Sequence, residues 1–385
     1  MKYIKKITAL LLISTISLAS CTNSDTSISN DTSTEENSTV DTPSDTTLTE
    51  EIFEESQKIH TDTRTYDILS DTAQKYEGQI FALDTIITLI VYTEEANGED
   101  LIKLAQESIS DYENILSKTI EGSFTYELNK NKTYDLSGNP YKEDILYLLG
   151  KSMYYNDISD GYFDITIEPL VRLWGFGEEN QGYIPTEEEI KPILEKIDSD
   201  FIEINGDIVS LKNDATVDFG AIAKGYIADK TKDILIENGC SSAIINLGGN
   251  VLTIGSKPND LVWKVGIQDP NSNTGNLVGD VSVKNKSVVT SGIYERNFVV
   301  DDVLYHHILD YKTGFPSASD IASATIICDY SIDGDALATT VVLLGSEKGL
   351  ELINSLDNVE LLIITKDNEY KYSNNFNEKY EFNKY

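Results

Sequence analysis

Residues 217–230 read VDFGAIAKGYIADK, an apolar run that ends at Asp218 and passes through small residues to Lys224 and a helical pattern. Small residues let the backbone approach a ligand closely, and the free N–H groups at the start of a helix attract anions. NLGGN, at 246–250, is a second glycine turn that follows a strand-like segment. Each signal is weak alone, but together they predict a site for a phosphate-bearing small molecule in the middle of the chain.

The N-terminus has the pattern of a lipoprotein signal peptide. Three lysines precede a mostly apolar run at 7–17, and Leu-Ala-Ser-Cys at 18–21 is typical of a lipobox. The apolar run is too short to span a membrane. We therefore expect cleavage of residues 1–20, attachment of lipid to the thiol of Cys21 and anchoring at the extracytoplasmic face of the cell membrane. The alternative is an ordinary signal peptide with a chance cysteine.

An acidic tether is predicted after Cys21. Ten acidic residues and no Lys or Arg lie between Cys21 and Lys58, and Ser and Thr are abundant. Such a segment has too little apolar surface to offset the entropy lost on ordering. We expect a disordered, lipid-anchored tether over 21–75 and a folded domain over 76–385.

The charge of the chain limits its partners. Without residues 1–20, 27 basic residues face 65 acidic ones, a net charge of −38. A nucleic-acid partner is excluded because no basic stripe could neutralise its phosphates. A phosphorylated ligand would instead depend on a divalent cation, helix N-termini and one or two placed lysines.

The folded part alternates strand-like and helical patterns. This mixture favours an α+β fold over a doubly wound sheet. The capping box at Thr186 and Glu189 predicts the start of one helix. Strands are predicted at 81–92, 243–247, 262–267, 287–290, 324–328 and 359–365, and helices at 101–116, 145–154, 187–197, 221–237, 335–344 and 347–356.

Besides Cys21, the chain has Cys240 and Cys328. A disulfide between them is possible in an exported protein, but two unpaired, partly buried thiols are the favoured interpretation. The sequence has no CxxC motif or Cys/His cluster, which argues against zinc, iron–sulfur and c-type haem.

Three further segments carry residues suited to chemistry. DGYFDITIEPLVRLWGFG, at 160–177, combines Asp164 with aromatic residues that could hold a planar ring or simply pack as core. The pair His306 and His307 could supply a general base, although neighbours in a strand face opposite sides. DGDALATTVVLLG, at 333–345, places a carboxylate and a hydroxyl four residues apart on one helix face, which suits Mg²⁺ or, alternatively, helix capping.

Together these motifs resemble the ApbE family of FAD:protein FMN transferases, from about Phe81 to about Leu356. The similarity includes FALDTIITLIVY at 81–92 and VTSGIYERNF at 289–298 with YHHILDYKTGFP at 305–316, besides motifs within the segments quoted above, in the same order. It implies a T-fold-like ApbE architecture, with mixed or antiparallel sheets and packed helices.

The resemblance also implies site residues. The positions that match flavin-dinucleotide contacts are Leu83, Tyr162, Phe163, Asp164, Asp218, Lys224 and Leu309. The carbonyl of Ala221 and the side chains of Asp335 and Thr339 match a magnesium site, and His307 matches the suspected base. The chain departs from the family at Leu83, where methionine is usual, and at Ala338, where some members carry an additional acid.

The implied reaction is Mg²⁺-dependent transfer of FMN from FAD to a Ser or Thr hydroxyl of an exported redox protein, with release of AMP. Two alternatives stay open. One is an FAD pyrophosphatase, in which water replaces the hydroxyl and FMN and AMP are released. The other is a non-catalytic FAD-binding lipoprotein, which would never produce AMP.

Overall fold

The computed structural model describes residues 45–176, 182–272 and 275–385. The predicted signal peptide, Cys21 and the first part of the predicted tether lie outside these residues. The α-helices are α1 (Asp45–Ser56), α2 (Gly98–Leu116), α3 (Phe124–Asn131), α4 (Lys142–Ile158), α5 (Glu168–Trp174), α6 (Glu187–Leu194), α7 (Ala223–Glu237), α8 (Ser331–Leu344), α9 (Ser346–Asn354) and α10 (Phe376–Lys379). Short 3₁₀ turns occupy Ile165–Ile167, Ser199–Phe201 and Pro258–Asp260.

An eight-stranded antiparallel sheet forms the centre of the fold, in the order β1-β2-β6-β7-β10-β15-β16-β17. Its strands are β1 (Gln74–Ala82), β2 (Thr85–Thr93), β6 (Ser242–Leu247), β7 (Asn250–Ile254), β10 (Ser287–Gly292), β15 (Ile321–Cys328), β16 (Glu360–Thr365) and β17 (Tyr370–Tyr372). The smaller sheets contain β3 (Thr133–Asp135), β4 (Ile202–Asn205), β5 (Ile208–Leu211), β8 (Trp263–Gln268), β9 (Leu277–Val283), β11 (Asn297–Val300), β12 (Val303–His306), β13 (Leu309–Asp310), β14 (Phe315–Pro316) and β18 (Phe382–Lys384). Helices packed on antiparallel sheets confirm the predicted α+β fold.

The predicted single strand over 81–92 is wrong, because this segment contains a tight hairpin. Leu83 and Asp84 form a two-residue turn with positive φ angles of 54° and 57° between β1 and β2. Two consecutive positive φ angles match the twist of antiparallel strands. The apolar run conceals the turn, since it contains no glycine.

A second turn, at Gly248 and Gly249, lies beside the first because Ile87 of β2 pairs with Leu247 of β6. These glycines have φ angles of 64° and 100°, which other residues adopt only with strain.

Two reciprocal caps hold α7 against α8. Asp335 of α8 accepts a hydrogen bond from the N–H of Gly225 in the first turn of α7, at 2.9 Å. In return, Asp229 of α7 accepts the N–H groups of Ser331 and Ile332, each at 2.8 Å. A Cβ on Gly225 would lie 2.2 Å from the carbonyl oxygen of Ser331, so only glycine permits this approach.

These caps also explain why α8 begins before the predicted Asp335. Neither α7 nor α8 has a local side-chain N-cap, since Ile222 and Tyr330 occupy those positions. The carboxylates of the partner helix satisfy the first N–H groups instead. A local sequence pattern cannot reveal such a cap. By contrast, the local capping box at Thr186 and Glu189 is present as predicted.

The region before β1 differs from the predicted tether. Within 45–75, α1 packs against α4, and Phe53 is buried. Further on, the side chain of Asp62 is 1% exposed and lies 2.7 Å from the ammonium of Lys232, which is also 1% exposed. The predicted disordered tether over 21–75 is therefore too long at its C-terminal end, because the long-range partner of Asp62 cannot be seen in the local composition.

Two further expectations concern the thiols and the membrane. Cys240 and Cys328 are both unpaired and buried, which agrees with the favoured interpretation. Among the described residues, none of the helices has the length and apolar character needed to cross a bilayer.

We predict that Asp62→Ala lowers the free energy of unfolding by about 3–5 kcal/mol, because it leaves the buried Lys232 without its partner. Burial pushes the pKa of Asp62 upward, but hydrogen bonds from Arg64 and Lys232 outweigh it and hold the pKa below its ordinary value. This contribution is therefore present above about pH 4 and is lost as the pH falls through the lower, folded-state value.

Denaturant unfolding measures this difference, with Asp67→Ala as the control because Asp67 is exposed in the same segment. Equal stability of the two variants at pH 7 would show that the salt bridge between Asp62 and Lys232 does not stabilise the fold.

Candidate active site

The first turn of α7 contacts α8 close to two of the predicted metal ligands, Asp335 and Thr339. The Asp335 carboxylate accepts the N–H of Gly225, which follows Ala221 by four residues in the chain. Thr339 follows one helical turn after Asp335, and its hydroxyl lies 3.2 Å from that of Ser291 at the end of β10. Residues distant in sequence thus converge at one place.

The donors present suit a hard cation. Burial raises the pKa of Asp335, and Lys224 opposes this shift, so a bound cation would stabilise the charged carboxylate further. A carboxylate, a hydroxyl and a carbonyl are the oxygen ligands that Mg²⁺ prefers. No cluster of three or more His, Cys, Asp or Glu side chains that could hold a metal occurs in the part of the chain that the structure describes. Since Ala338 supplies no second acid, a metal at Asp335 would need oxygens of water or substrate to complete its coordination.

His307 is oriented by a backbone carbonyl. Its Nδ1 lies 3.3 Å from the carbonyl oxygen of Arg296, and its own N–H donates to the same oxygen at 3.0 Å. Because a carbonyl oxygen only accepts, this contact assigns the ring proton to Nδ1 and leaves Nε2 as an acceptor. Loss of hydration lowers the pKa of His307 to about 3, and the charges of Arg296 and Lys224 act in the same direction. The ring is therefore a neutral base near pH 7.

His306 serves the fold. It is buried, and its Nε2 lies 3.2 Å from the carbonyl oxygen of Ser317. Burial lowers its pKa to about 4, so this ring is also neutral near pH 7. The two rings thus have different environments, as expected for neighbours in an extended segment. His306, the last residue of β12, is in the interior, and His307, directly after the strand, is half-buried.

Glu295 is an acid at this site that the sequence did not single out. The residue is exposed, but loss of hydration raises the pKa of its carboxyl, with Lys224 opposing and Asp335 adding to the shift. The influence of Lys224 and Asp335 places Glu295 near both. The motif SGIYERNF contains Glu295, but no spacing rule distinguishes it from an ordinary surface glutamate.

Asp218 has a cationic neighbour from a distant part of the chain. Lys118, just after α2, places its ammonium 2.6 Å from one carboxylate oxygen of Asp218. The other oxygen accepts the N–H of Gly220 at 2.8 Å. Asn129 also bonds both backbone groups of Val217, at 2.7 and 2.8 Å. Lys118 and Asn129 give no local sequence signal, because their partners lie about a hundred residues away.

The three predicted contacts in GYFD have different environments. Tyr162 is half-buried, and the ammonium of Lys312 lies 3.6 Å from its ring centroid. Phe163 is buried in the main core. Burial raises the pKa of Asp164 to about 6, and its oxygens accept from Thr166 and Ser199. Tyr162 is therefore the one of these three whose ring is partly open to solvent, whereas Phe163 and Asp164 support the turn that carries it.

The aromatic residues at the end of α5 and just after it belong to a packed core, which is the alternative interpretation of that pattern. Trp174 is fully buried, stacks on Phe176 with centroids 5.5 Å apart and donates its Nε1–H to the Gly314 carbonyl at 2.8 Å. Leu309, a predicted ligand contact, is buried in the same cluster.

Leu83 reaches the site through its hairpin turn. It is half-buried against the main core, and its N–H donates to Glu113 at 2.6 Å. The following residue, Asp84, lies 3.4 Å from the guanidinium of Arg296, so the turn adjoins the segment that orients His307. The turn thus lies beside Arg296, whose charge acts on His307.

The chain is similar to proteins of one family. A curated FAD:protein FMN transferase from Treponema pallidum is 36% identical over 243 residues, which cover 59% of this chain and 67% of that protein. Another, from Klebsiella pneumoniae, is 34% identical over 215 residues, which cover 55% of this chain and 66% of that protein. The alignments span about two thirds of each relative's length.

Solved structures agree with this similarity. The crystal structure of the ApbE protein from Thermotoga maritima superposes with a TM-score of 0.72 and 29% identity, over 79% of this chain and 99% of that chain. The flavin transferase ApbE from Vibrio cholerae, at 23% identity and a TM-score of 0.69 over 80% of this chain and 99% of that chain, shows the same fold. The family profile described as "ApbE family" matches residues 83–363. The chain therefore belongs to the ApbE family.

Proposed function

We propose that this chain is an FAD:protein FMN transferase, which moves FMN from FAD to a Ser or Thr hydroxyl of an acceptor protein, uses Mg²⁺ and releases AMP. The names of its curated relatives support the overall activity. The observation that carries the proposal for this chain is the grouping of Asp335, Lys224 and a neutral His307, in which the charge of Lys224 acts on the pKa of both other side chains. These groups provide, respectively, a metal ligand, a phosphate-binding cation and a base.

FAD would bind along residues that the fold holds in place. Lys224, in the first turn of α7, can pair with a phosphate, and the N-terminus of α7 also favours negative charge. The Tyr162 ring offers an apolar face, and Lys312 beside it adds a second cation. These cations let a strongly acidic protein bind an anionic dinucleotide.

Mg²⁺ held by Asp335, Thr339 and the Ala221 carbonyl would offset the charge that develops on the diphosphate as its bond breaks. The chain contributes the orientation of these oxygens. The Gly225 N–H fixes the Asp335 carboxylate, and the Ser291 hydroxyl contacts that of Thr339.

In the transfer step, the acceptor hydroxyl oxygen forms a bond to the FMN phosphorus, and the bond from that phosphorus to the AMP oxygen breaks. Nε2 of His307 takes the hydroxyl proton, because its Nδ1 already donates to Arg296. AMP leaves with the electron pair of the broken bond. The product is a phosphoester between FMN and the acceptor.

The full chain, solubilised in detergent, is to be incubated with FAD, Mg²⁺ and envelope proteins of the source cells. We expect a flavin-fluorescent acceptor band that survives denaturation, with AMP in equal amount. Rapid FMN release without any acceptor would indicate a pyrophosphatase, and bound FAD without AMP a non-catalytic flavin-binding protein.

We predict that Asp335→Asn abolishes the Mg²⁺ dependence of FAD binding and lowers the transfer rate by about 10²-fold or more, because the amide keeps the cap to Gly225 but loses the charge. Titration of flavin fluorescence with Mg²⁺ measures the first effect, and AMP release the second. Glu347→Gln is the control, since it removes an exposed acid at the start of α9. Full activity of Asp335→Asn would refute the metal assignment.

We predict that His307→Gln lowers the transfer rate by about 10²–10⁴-fold through loss of the base, whereas FAD affinity changes little. Because the pKa of His307 is about 3, the wild-type kcat/KM should also show no inflection that belongs to His307 between about pH 5 and 8. A rate within threefold of wild type, or an inflection that His307→Gln removes, would contradict this role.

We also propose that the chain is held at the extracytoplasmic membrane face through a lipid on Cys21, which the lipobox pattern at 18–21 supports. Cys21→Ala should move the protein from the membrane fraction to the soluble exported fraction. Membrane retention of this variant after a salt wash would contradict the anchor.

A further inference from the structure

Two hairpins beside the candidate site expose apolar side chains in cross-strand pairs. On the first, Phe81 of β1 is directly opposite Ile86 of β2, and the two side chains are 74% and 64% exposed. Paired residues point to the same side of a sheet, so they form one continuous apolar surface. Exposed apolar side chains that adjoin one another are characteristic of interaction sites.

The second hairpin has a similar pair. Val299 of β11 is directly opposite Leu304 of β12, and they are 62% and 40% exposed. The opposite face of this hairpin is covered, because Phe298 and Tyr305 stack on the aromatic residues around Trp174. The hairpin is thus anchored on one face and leaves an apolar pair on the other.

Both pairs adjoin the candidate site. The turn at Leu83 and Asp84 follows Phe81 by two residues, and His307 directly follows β12. The contact of 3.4 Å between Asp84 and Arg296 joins the base of one hairpin to the turn of the other. The two apolar pairs therefore lie within a few residues of the turn at Leu83 and of His307, beside the candidate site.

From this arrangement we propose that Phe81, Ile86, Val299 and Leu304, the hairpin-rim surface, dock the acceptor protein and bring its hydroxyl to His307. This inference rests on the proposed function, since a flavin transferase must bind an acceptor protein beside the site of transfer. FAD is a small ligand with two phosphates and does not account for four exposed apolar side chains on the rim.

The charge around this surface defines the partner further. Asp84, Asp301 and Asp302 border the apolar pairs and are exposed. With the chain's net charge of −38 after removal of residues 1–20, they favour an acceptor whose modified Ser or Thr lies in an apolar patch with Lys or Arg around it. Such complementarity raises the association rate and makes it sensitive to salt.

The test compares the full chain with two double variants, Phe81→Thr/Ile86→Thr and Val299→Thr/Leu304→Thr. Threonine is chosen because it is less apolar but β-branched, and therefore suits a strand. Leu261→Thr is the matched control, because Leu261 is 60% exposed and lies next to β8 in another part of the surface. The substrates are the purified acceptor, identified by its flavin fluorescence, and a short peptide that spans its modified residue.

We expect each double variant to raise the KM for the folded acceptor about tenfold, with kcat for the peptide and FAD affinity unchanged, whereas Leu261→Thr has no effect. An unchanged KM for the acceptor in both double variants would overturn the proposal. So would a change from dimer to monomer in sedimentation of the enzyme alone, because the surface would then bind a second copy of this chain. Absence of transfer by the wild-type chain would instead reject the proposed function.

Discussion

The reciprocal capping of α7 and α8 is the interaction on which the site depends. Each helix lacks a local side-chain cap and takes a carboxylate from the other, Asp335 in one direction and Asp229 in the other. Asp229 is buried, and burial raises its pKa to about 8, so its N–H partners offset only part of the cost of the charge. This arrangement fixes Lys224 and Asp335 relative to each other more tightly than the sheet alone could.

The location of the charges explains how so acidic a chain can hold an anionic ligand. Four cations nevertheless lie beside candidate site residues. Lys224 and Arg296 act on His307, Lys118 contacts Asp218, and Lys312 lies over the ring of Tyr162. At physiological salt a surface charge acts over about 8 Å. The local cations therefore determine the potential that the ligand meets, and the net charge chiefly affects solubility and the choice of protein partners.

Sequence patterns predicted the structural features that depend on residues close together in the chain. Helical periodicity and the capping box at Thr186 located most helices, and the family motifs pointed to Asp335 and His307. The features that these patterns missed depend on contacts between residues far apart in the chain, such as the salt bridges between Lys118 and Asp218 and between Asp62 and Lys232. The hairpin turn at Leu83 was missed for a different reason, because a positive φ without glycine leaves no mark in an apolar run.

Two groups that orient the functional side chains belong to the backbone. The N–H of Gly225 holds Asp335, and the carbonyl of Arg296 holds His307. A substitution replaces a side chain but leaves these atoms in the chain, so point mutations at Arg296 cannot delete the group that orients the base. A one-residue insertion or deletion near Arg296 would move it. Substitution of Arg296 should therefore change a charge near the site but not the orientation of the base, whereas changes of length between β10 and β11 should be rare among relatives.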